Sequence, residues 1–219
     1  HSGSRNIGFT AAKHYHDKAK EQNKDRDDVP KDLAFFEADS EGYDLYIGEM
    51  NYCIDFALAN RKLMMERVKE AFDEEINGIE FSDFINKPHN FASRESHFGK
   101  ELIVHRKGAT RAREGELGMI PGSQGTPSFI VRGKGHPKSF ESCSHGAGRV
   151  MSRTKAKKTL SVEEETKSLE ERGILHAIRH SSDLDEAPGS YKDINTVMEN
   201  QSDLVDIIIE LEPLAVIKG

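Results

Sequence analysis

One glycine-rich stretch combines residue types that could do chemistry on a phosphate. It runs Ser-Phe-Glu-Ser-Cys-Ser-His-Gly-Ala-Gly-Arg-Val-Met-Ser-Arg, and His145 stands between small residues and the glycines Gly146 and Gly148. Glycines let a backbone approach a ligand closely, and an imidazole can attack a phosphoryl group as a nucleophile. We predict a helix that starts near Gly148, offers its N–H groups to a phosphate and places Arg149 and Arg153 on one face.

The same stretch has a second interpretation, which the residues alone leave open. A glycine-rich turn ahead of a basic surface helix needs the same residue types, with His145 merely filling a gap. From Arg94 to Lys158 there are 14 Lys and Arg against 5 Asp and Glu, a local charge of +9 in a chain whose net charge is −7. That local excess favours a polyanionic substrate over a plain solvated face.

The N-terminal part of the chain is predicted to be mainly helical. Residues 10–22 predict a polar helix, and residues 33–36 predict a short strand or a packed loop. From Tyr43 onward apolar residues recur at helical spacing, which indicates one long helix or two helices broken near Asn60, with Gly78 as the stop. We interpret the methionine and aromatic stripe of this segment as core packing.

Short strands are predicted before the histidine. Residues 102–104 and 109–112 flank Arg106-Lys107-Gly108, which favours a β-hairpin with a basic turn. Residues 121–128 are rich in turn formers and lead into a strand at 128–131.

Capped helices and a strand are predicted after the histidine. Ser161 with Glu164 indicates a capping box for a helix that ends at Gly173, and Asp193 is the expected cap of a helix to about Asn200. Residues 204–211 are rich in β-branched side chains and predict a buried strand. An extended segment at 214–217 is expected to deliver Lys218 to the site.

Length and composition place the chain among globular proteins of the α/β (mixed α+β) class, folded as a single domain over residues 1–219. No apolar run reaches the length of a membrane span, so no membrane association is expected. Cys53 and Cys143 lie far apart and form no CxxC pair, which makes a disulfide framework unexpected. These features fit a reducing, cytoplasmic location.

The stretch around His145 resembles the guanylylated-histidine motif of the RtcB family of RNA ligases. Other segments resemble further motifs of that family, in the same order along the chain. They are His1-Ser2-Gly3-Ser4-Arg5, His89-Asn90, Val104-His105-Arg106-Lys107-Gly108-Ala109-Thr110, Ile120-Pro121-Gly122-Ser123-Gln124-Gly125-Thr126 and Ala215-Val216-Ile217-Lys218-Gly219. The resemblance covers essentially the whole chain but only the C-terminal part of the family pattern.

The resemblance implies an RtcB-like fold of mixed sheets with surrounding helices, and a GTP- and Mn²⁺-dependent enzyme of tRNA splicing or RNA repair. Such an enzyme joins RNA 3′-phosphate or 2′,3′-cyclic phosphate ends to 5′-hydroxyl ends through a histidine–GMP intermediate. His145 would be the catalytic nucleophile, His1 and His89 would converge on one metal centre, and Arg5 and Arg149 would contact RNA phosphate. The residues implied in nucleotide binding are His89, Asn90, Pro121, Gly122, Ser123, Gln124, Ser128, His145, Gly146, Ala147, Gly148 and Lys218.

The charges of His105, Arg106 and Lys107 have two interpretations, plain exposure on a hairpin or contact with an RNA end or phosphate, and the family context favours contact. The chain departs from the family pattern at Gln124, where methionine is frequent, and at Pro127, where alanine is frequent. Both positions are expected near the nucleotide, so binding would be altered.

Two family motifs that supply metal ligands and guanine contacts, Asp-x-x-Cys and Asn-His-x-x-Glu, are absent from the sequence, and the chain opens within a motif at His1. The alternative function is therefore a truncated, catalytically incompetent fragment that binds RNA or nucleotide. We expect that the 219 residues alone do not ligate RNA. A missing N-terminal half or an activating protein is the expected further partner.

Overall fold

A computed structural model describes residues 2–30, 32–38, 40–82 and 84–217. The chain divides into two compact units, His1–Ala92 and Ser93–Gly219. It contains both helices and small antiparallel sheets, which confirms the mixed α+β class. We expected residues 1–219 to form a single domain. Whether the two units fold and act as one domain stays a prediction. Among the helices of the described ranges, none combines the length and the hydropathy that crossing a bilayer requires.

The first unit contains the helices α1 (Arg5–Gln22) and α2 (Glu41–Glu75). The Ser40 hydroxyl caps α2 by accepting a hydrogen bond from the Tyr43 amide at 3.2 Å. The helix then runs without interruption through Asn60, so the one-helix interpretation is confirmed and the break is not. The ring of Tyr15 from α1 lies 5.5 Å from that of Tyr46, and this contact joins the two helices.

Two strands form a hairpin that begins with the last three residues of the first unit and continues into the second. These are β1 (Asn90–His97) and β2 (Lys100–Lys107), joined at Phe98-Gly99, where φ is 53° and 73°. The predicted hairpin around Arg106-Lys107-Gly108 is wrong. There β2 ends, and the next strand, β3 (Ala109–Arg111), pairs with β6 (Ser142–Ser144) instead. Gly108 has a φ of 68°, and its conformation redirects the chain toward that distant partner.

A three-stranded antiparallel sheet contains β4 (Leu117–Ile120), β5 (Ser128–Gly133) and β7 (Val205–Leu211), with β5 in the middle. Its inner face packs into a core with Ile120, Phe129 and Val131 at the centre. The strand predicted at 204–211 is confirmed, but its burial is wrong. Only Val205 of β7 is buried, since the strand lies at the sheet edge.

Three short α-helices complete the second unit: α3 (Arg153–Thr159), α4 (Val162–Glu170) and α5 (Ile194–Glu199). The side chains of Ser152, Ser161 and Asp193 cap them in turn, so the caps at Ser161 and Asp193 are confirmed. A second core, which includes Leu169, Ile174 and Leu184, lies under α4. The extended segment near Ala215 forms a parallel bridge with Leu175, and Lys218 lies outside the described residues.

Candidate active site

His145 follows directly after β6, and its ring is fixed by a backbone carbonyl. The antiparallel pairing of β3 with β6 places Ala109 opposite Ser144, so that Gly108 lies beside His145. The His145 Nδ1 atom is 2.7 Å from the Gly108 carbonyl oxygen. A carbonyl oxygen only accepts, so Nδ1 is the donor and carries the proton in the neutral ring. The ring lone pair is therefore on Nε2, which is the nitrogen that could attack an electrophile.

A buried glutamine fixes the residue just before the histidine. The Gln201 side chain accepts a hydrogen bond from the Ser144 amide at 3.0 Å and donates one to the Ser144 hydroxyl at 2.9 Å. Gln201 is 5% exposed, so little water competes for these bonds. Nothing in the sequence around Gln201 signals this role, because the two residues are 57 positions apart.

Gly146 and Ala147 of the motif pack against the turn-rich loop at 121–128. The Ala147 amide donates to the Pro121 carbonyl at 3.0 Å. A Cβ atom on Gly146 would lie 3.0 Å from the same oxygen, closer than side chains normally come. At Gly122 a Cβ would collide with the Pro127 carbonyl. The fold thus brings together two segments that the sequence assigns to the nucleotide, and this close fit admits only glycine at Gly122.

The other loop residues assigned to the nucleotide have structural partners. The Ser123 hydroxyl lies 2.9 Å from that of Thr126, within the same turn. Ser128 opens β5 and pairs with Leu211 across the sheet. Gln124 and Ser128 are both half-buried. Their contact with a nucleotide stays a prediction.

The predicted helix from Gly148 is wrong. Gly148 has a φ of 74°, Arg149 bridges to Tyr191, and the helix α3 begins only at Arg153. The guanidinium of Arg149 stacks on the Tyr191 ring at 5.1 Å and donates to the Asp185 carbonyl at 2.6 Å. Arg149 and Arg153 therefore do not share a helical face, although the contact of Arg149 with RNA phosphate stays a prediction.

The basic segment at the end of β2 divides into two kinds of side chain. His105 and Lys107 are exposed, as a contact with an RNA end requires. Arg106 is buried, and its guanidinium forms two hydrogen bonds with Glu95, at 2.6 and 2.9 Å. The expectation of a phosphate contact is wrong for Arg106, because its side chain faces away from solvent into this ion pair.

Two titratable groups of the second unit, Glu95 and Cys143, have shifted pKa values. Burial opposes ionisation of Glu95, but hydrogen bonds from Arg106, Ser93 and His97 outweigh it and lower its pKa from 4.5 to about 2. Burial, with help from the charge of Glu116, raises the pKa of the Cys143 thiol from 9.0 to about 11. Glu95 is thus a fixed charge, whereas Cys143 is a neutral part of the core.

In the first unit, two neighbouring residues of α2 hold the segments assigned to metal and phosphate. The Asn60 side chain donates to the carbonyl oxygens of Ser2 and Gly3 at 3.2 and 3.4 Å. The Arg61 guanidinium donates to Asn86 at 2.6 Å, and Asn86 lies three residues before His89. The middle of α2 therefore fixes both segments, a role that its apolar periodicity does not reveal.

The predicted metal centre is only partly covered by the described residues. His1 lies outside them, while His89 and Asn90 are exposed and belong to the first unit. Arg5 opens α1 with a φ of 58°. Across residues 2–30, 32–38, 40–82 and 84–217, no three His, Cys, Asp or Glu side chains cluster as metal ligands would. The convergence of His1 and His89 on one metal stays a prediction.

Comparison with known proteins gives one consistent family. The family model described as tRNA-splicing ligase RtcB matches residues 1–219. The RNA-splicing ligase RtcB of Escherichia coli K12 is 43% identical over 228 residues, which cover 100% of this chain and 55% of that protein. The tRNA-splicing ligase RtcB of Nanoarchaeum equitans is 36% identical over 246 residues, covering 51% of its length. The chain thus spans about half the length of the curated relatives it matches.

Proposed function

Since the chain belongs to the RtcB family, we propose that it contributes the nucleophile and most of the nucleotide pocket of a GTP-dependent RNA ligase. The observation that supports this most directly is the fixed ring of His145, whose Nδ1 is held by the Gly108 carbonyl at 2.7 Å while Gly146 and Ala147 pack against Pro121. A fixed imidazole beside a close-packed glycine loop is suited to attack a phosphorus atom.

The proposed reaction transfers guanylate twice. His145 Nε2 attacks the α-phosphorus of GTP, the bond to the bridging oxygen breaks, and pyrophosphate leaves. The guanylate then passes from His145 to an RNA 3′-phosphate, which water generates first where the end is a 2′,3′-cyclic phosphate. An RNA 5′-hydroxyl finally attacks that 3′-phosphorus, GMP leaves, and a 3′,5′-phosphodiester forms. Imidazole suits the first two steps because it is a nucleophile when neutral and a good leaving group when protonated.

We assign the nucleotide to the loop of Pro121, Gly122, Ser123 and Gln124, to Ser128, and to the glycine motif. Gly122 and Gly146 shape these segments, because a Cβ on either glycine would meet a backbone carbonyl, that of Pro127 or that of Pro121. His89, Asn90 and Lys218 complete the proposed nucleotide contacts. Arg5 and Arg149 are proposed to contact RNA phosphate, and the +9 charge between Arg94 and Lys158 would favour binding of a polyanion.

Manganese is the metal that the family resemblance implies, and an imidazole is an acceptable ligand for it. Of the ligands proposed here, His89 is exposed and His1 lies outside the described residues. One imidazole does not make a divalent-metal site, so His89, the one proposed ligand among the described residues, does not fit the ion by itself. We therefore derive no step of the reaction from it.

A second candidate function is that of a partial protein which binds RNA or nucleotide without ligating it. The chain spans 55% of the length of the E. coli relative, so the activity of the whole relative is only a proposal for this chain. The two candidates differ in what a complementary segment does. If the chain is part of a ligase, a segment corresponding to the remainder of the E. coli relative should restore ligation when supplied in trans.

The test is to incubate the chain with α-³²P-GTP and Mn²⁺, alone and with that segment, and to measure protein-bound label. We expect an acid-labile, alkali-stable adduct in the mixture that is abolished by His145→Ala and retained by His14→Ala, a control on the exposed surface of α1. Label that persists in His145→Ala would place the nucleophile elsewhere. A second assay offers 3′-phosphate and 5′-hydroxyl RNA, and ligation by the 219 residues alone would contradict their assignment as a partial enzyme.

A further inference from the structure

We propose that Arg106 is a positioning residue for His145, acting on both chain segments that fix the imidazole. The inference deepens the proposed function, on which its relevance to catalysis rests. Arg106 lies at the end of β2, two residues before Gly108, whose carbonyl holds His145 Nδ1. Its side chain reaches Phe140 and Ser142, at the entry to the strand β6 that leads into His145.

The contacts of Arg106 form a buried polar network. The side chains of Arg106, Glu95 and His97 are only 1%, 2% and 5% exposed. Arg106 and Glu95 form a bidentate ion pair, and His97 Nε2 lies 2.9 Å from the same carboxylate. A bidentate pair with further hydrogen bonds fixes the guanidinium in one orientation, which a surface arginine does not have.

The remaining donors of the guanidinium hold the entry to β6. Arg106 Nε donates to the Ser142 hydroxyl at 2.9 Å, and one terminal nitrogen donates to the Phe140 carbonyl at 2.9 Å. The Ser142 hydroxyl itself donates to the Phe140 carbonyl at 3.0 Å. These three bonds join Arg106, Phe140 and Ser142 to one another. The position of the guanidinium therefore fixes the backbone corner at residues 140–142.

The corner that Arg106 holds is strained. Phe140 and Glu141 have φ values of 53° and 50°, and neither residue is a glycine. Left-handed backbone at such residues costs on the order of 1–2 kcal/mol each and persists only where the surroundings enforce it. The corner ends four residues before His145 and sets the direction in which β6 begins. Without the guanidinium, the corner would relax and β6 would lose its register with β3.

Both ends of the His145–Gly108 hydrogen bond therefore depend on one side chain. The acceptor is on the chain segment that carries Arg106, and the donor directly follows the strand β6, which Arg106 bonds through Ser142. The consequence is specific: loss of Arg106 should release the Nδ1–H tautomer of His145 in a chain that is still folded. A residue that merely stabilised the fold would not change that tautomer.

The experiment measures this tautomer directly, by ¹⁵N–¹H correlation spectra of the 219-residue chain labelled with ¹⁵N-histidine. His145→Gln identifies the signal of His145 by its loss. We expect an Nδ1–H pattern in the unaltered chain and a shift toward the pattern averaged over both tautomers in Arg106→Lys, which keeps the charge but loses the planar fork. The matched control is Arg67→Lys on α2, where an exposed Arg–Glu pair is changed and the pattern should stay.

A second variant keeps the test decisive if Arg106→Lys does not fold. Ser142→Ala leaves the Glu95 ion pair and the Arg106 bond to the Phe140 carbonyl intact, and removes the hydroxyl that bonds both Arg106 and the Phe140 carbonyl. It should therefore give the same shift with a smaller amplitude. An unchanged Nδ1–H pattern in folded Arg106→Lys or in Ser142→Ala would overturn the proposal. Transfer of label from α-³²P-GTP, with the complementary segment present, should slow by roughly 10–100-fold in Arg106→Lys. If no variant takes label, the proposed function fails, whereas the tautomer result still decides the role of Arg106.

Discussion

The two units of this chain differ in how much of their apolar surface they bury. In the second unit, two clusters of buried residues lie beneath the sheet and beneath α4. In the first unit the buried apolar residues among those described are few and mostly small. The long helix α2 instead carries large apolar side chains that are exposed. They are Leu45, Tyr52, Phe56, Leu63, Met64, Val68 and Phe72.

The second unit therefore holds its side chains more rigidly than the first. Burial of apolar surface is the main favourable term in folding, and a close-packed interior holds its side chains in fixed positions. His145 lies in the unit that has such an interior, beside Cys143 and Ala147 of the first core cluster. The first unit presents apolar faces on a long helix. The predicted packing of the methionine and aromatic stripe holds in the first half of α2, where Tyr46, Ile47, Met50 and Ile54 are half-buried and Ala57 is buried. It is wrong for Met64, Val68 and Phe72 in the second half, which are exposed.

The largest expected difference between the units is in the stability lost when one leucine of each is replaced by alanine. Leu169 on α4 is fully buried, whereas Leu63 on α2 is 59% exposed. We expect Leu169→Ala to lower the free energy of unfolding by about 2–5 kcal/mol and Leu63→Ala to change it by about 0.5 kcal/mol or less. Urea denaturation followed by circular dichroism measures both. Equal losses would show that the first unit has a core of the same quality.

Acid should affect the second unit through Glu95. Because its pKa is about 2 in the folded chain and 4.5 is its ordinary value, the folded state favours the ionised carboxylate. This contribution to stability is present above pH 4.5 and is lost as the pH falls toward 2. Its size is about 3 kcal/mol.

The measurement is hydrogen exchange as a function of pH, corrected for the intrinsic exchange rate. Amides of β2 should lose protection between pH 4.5 and 2, whereas in Glu95→Gln their residual protection should depend less on pH over the same range. A wild-type protection that is flat across this window would contradict the ion pair.

Two glycines with left-handed backbone allow a sharper comparison within the second unit. Gly108 and Gly115 have φ values of 68° and 76°, but only Gly108 lies against His145, and a Cβ on Gly115 would meet nothing within 4 Å. We expect alanine at either position to cost about 1–2 kcal/mol through backbone strain. Only Gly108→Ala should change the His145 tautomer in ¹⁵N spectra, and a change of equal size in Gly115→Ala would argue against a local effect.

Helix caps give the smallest expected effect and test whether the units unfold separately. Ser40 caps α2 in the first unit and Ser161 caps α4 in the second. Each change to alanine should cost about 1 kcal/mol. If the units are independent, Ser40→Ala speeds hydrogen exchange in α2 alone and Ser161→Ala speeds it in α4 alone. Faster exchange in both units from either variant would show one cooperative structure.

The parts of the fold that the sequence predicted correctly are those with local signals. The caps at Ser161 and Asp193 and the strand after the loop at 121–128 each follow from side chains within a few residues of the element. The errors have a common cause. The turn residues around Gly108 indicated a local hairpin, yet β3 pairs with β6, a strand more than 30 residues later. The stretch after Gly148 predicted a helix, yet a bridge to Tyr191 keeps Arg149 extended.

By itself the sequence determined the family, the identity of His145 as the candidate nucleophile and the glycines that surround it, because these depend on residue types in order along the chain. The tertiary structure alone decided how that histidine is held. The Gly108 carbonyl bonds the ring of His145, while Gln201 and Arg106 bond Ser144 and Ser142 just before it, and all three come from segments far from His145 in sequence. It also decided that Arg106 is buried with Glu95, whereas His105 and Lys107 beside it are exposed. Hydrogen bonds and burial depend on distance in space, and strand pairing sets that distance through contacts that no local pattern encodes.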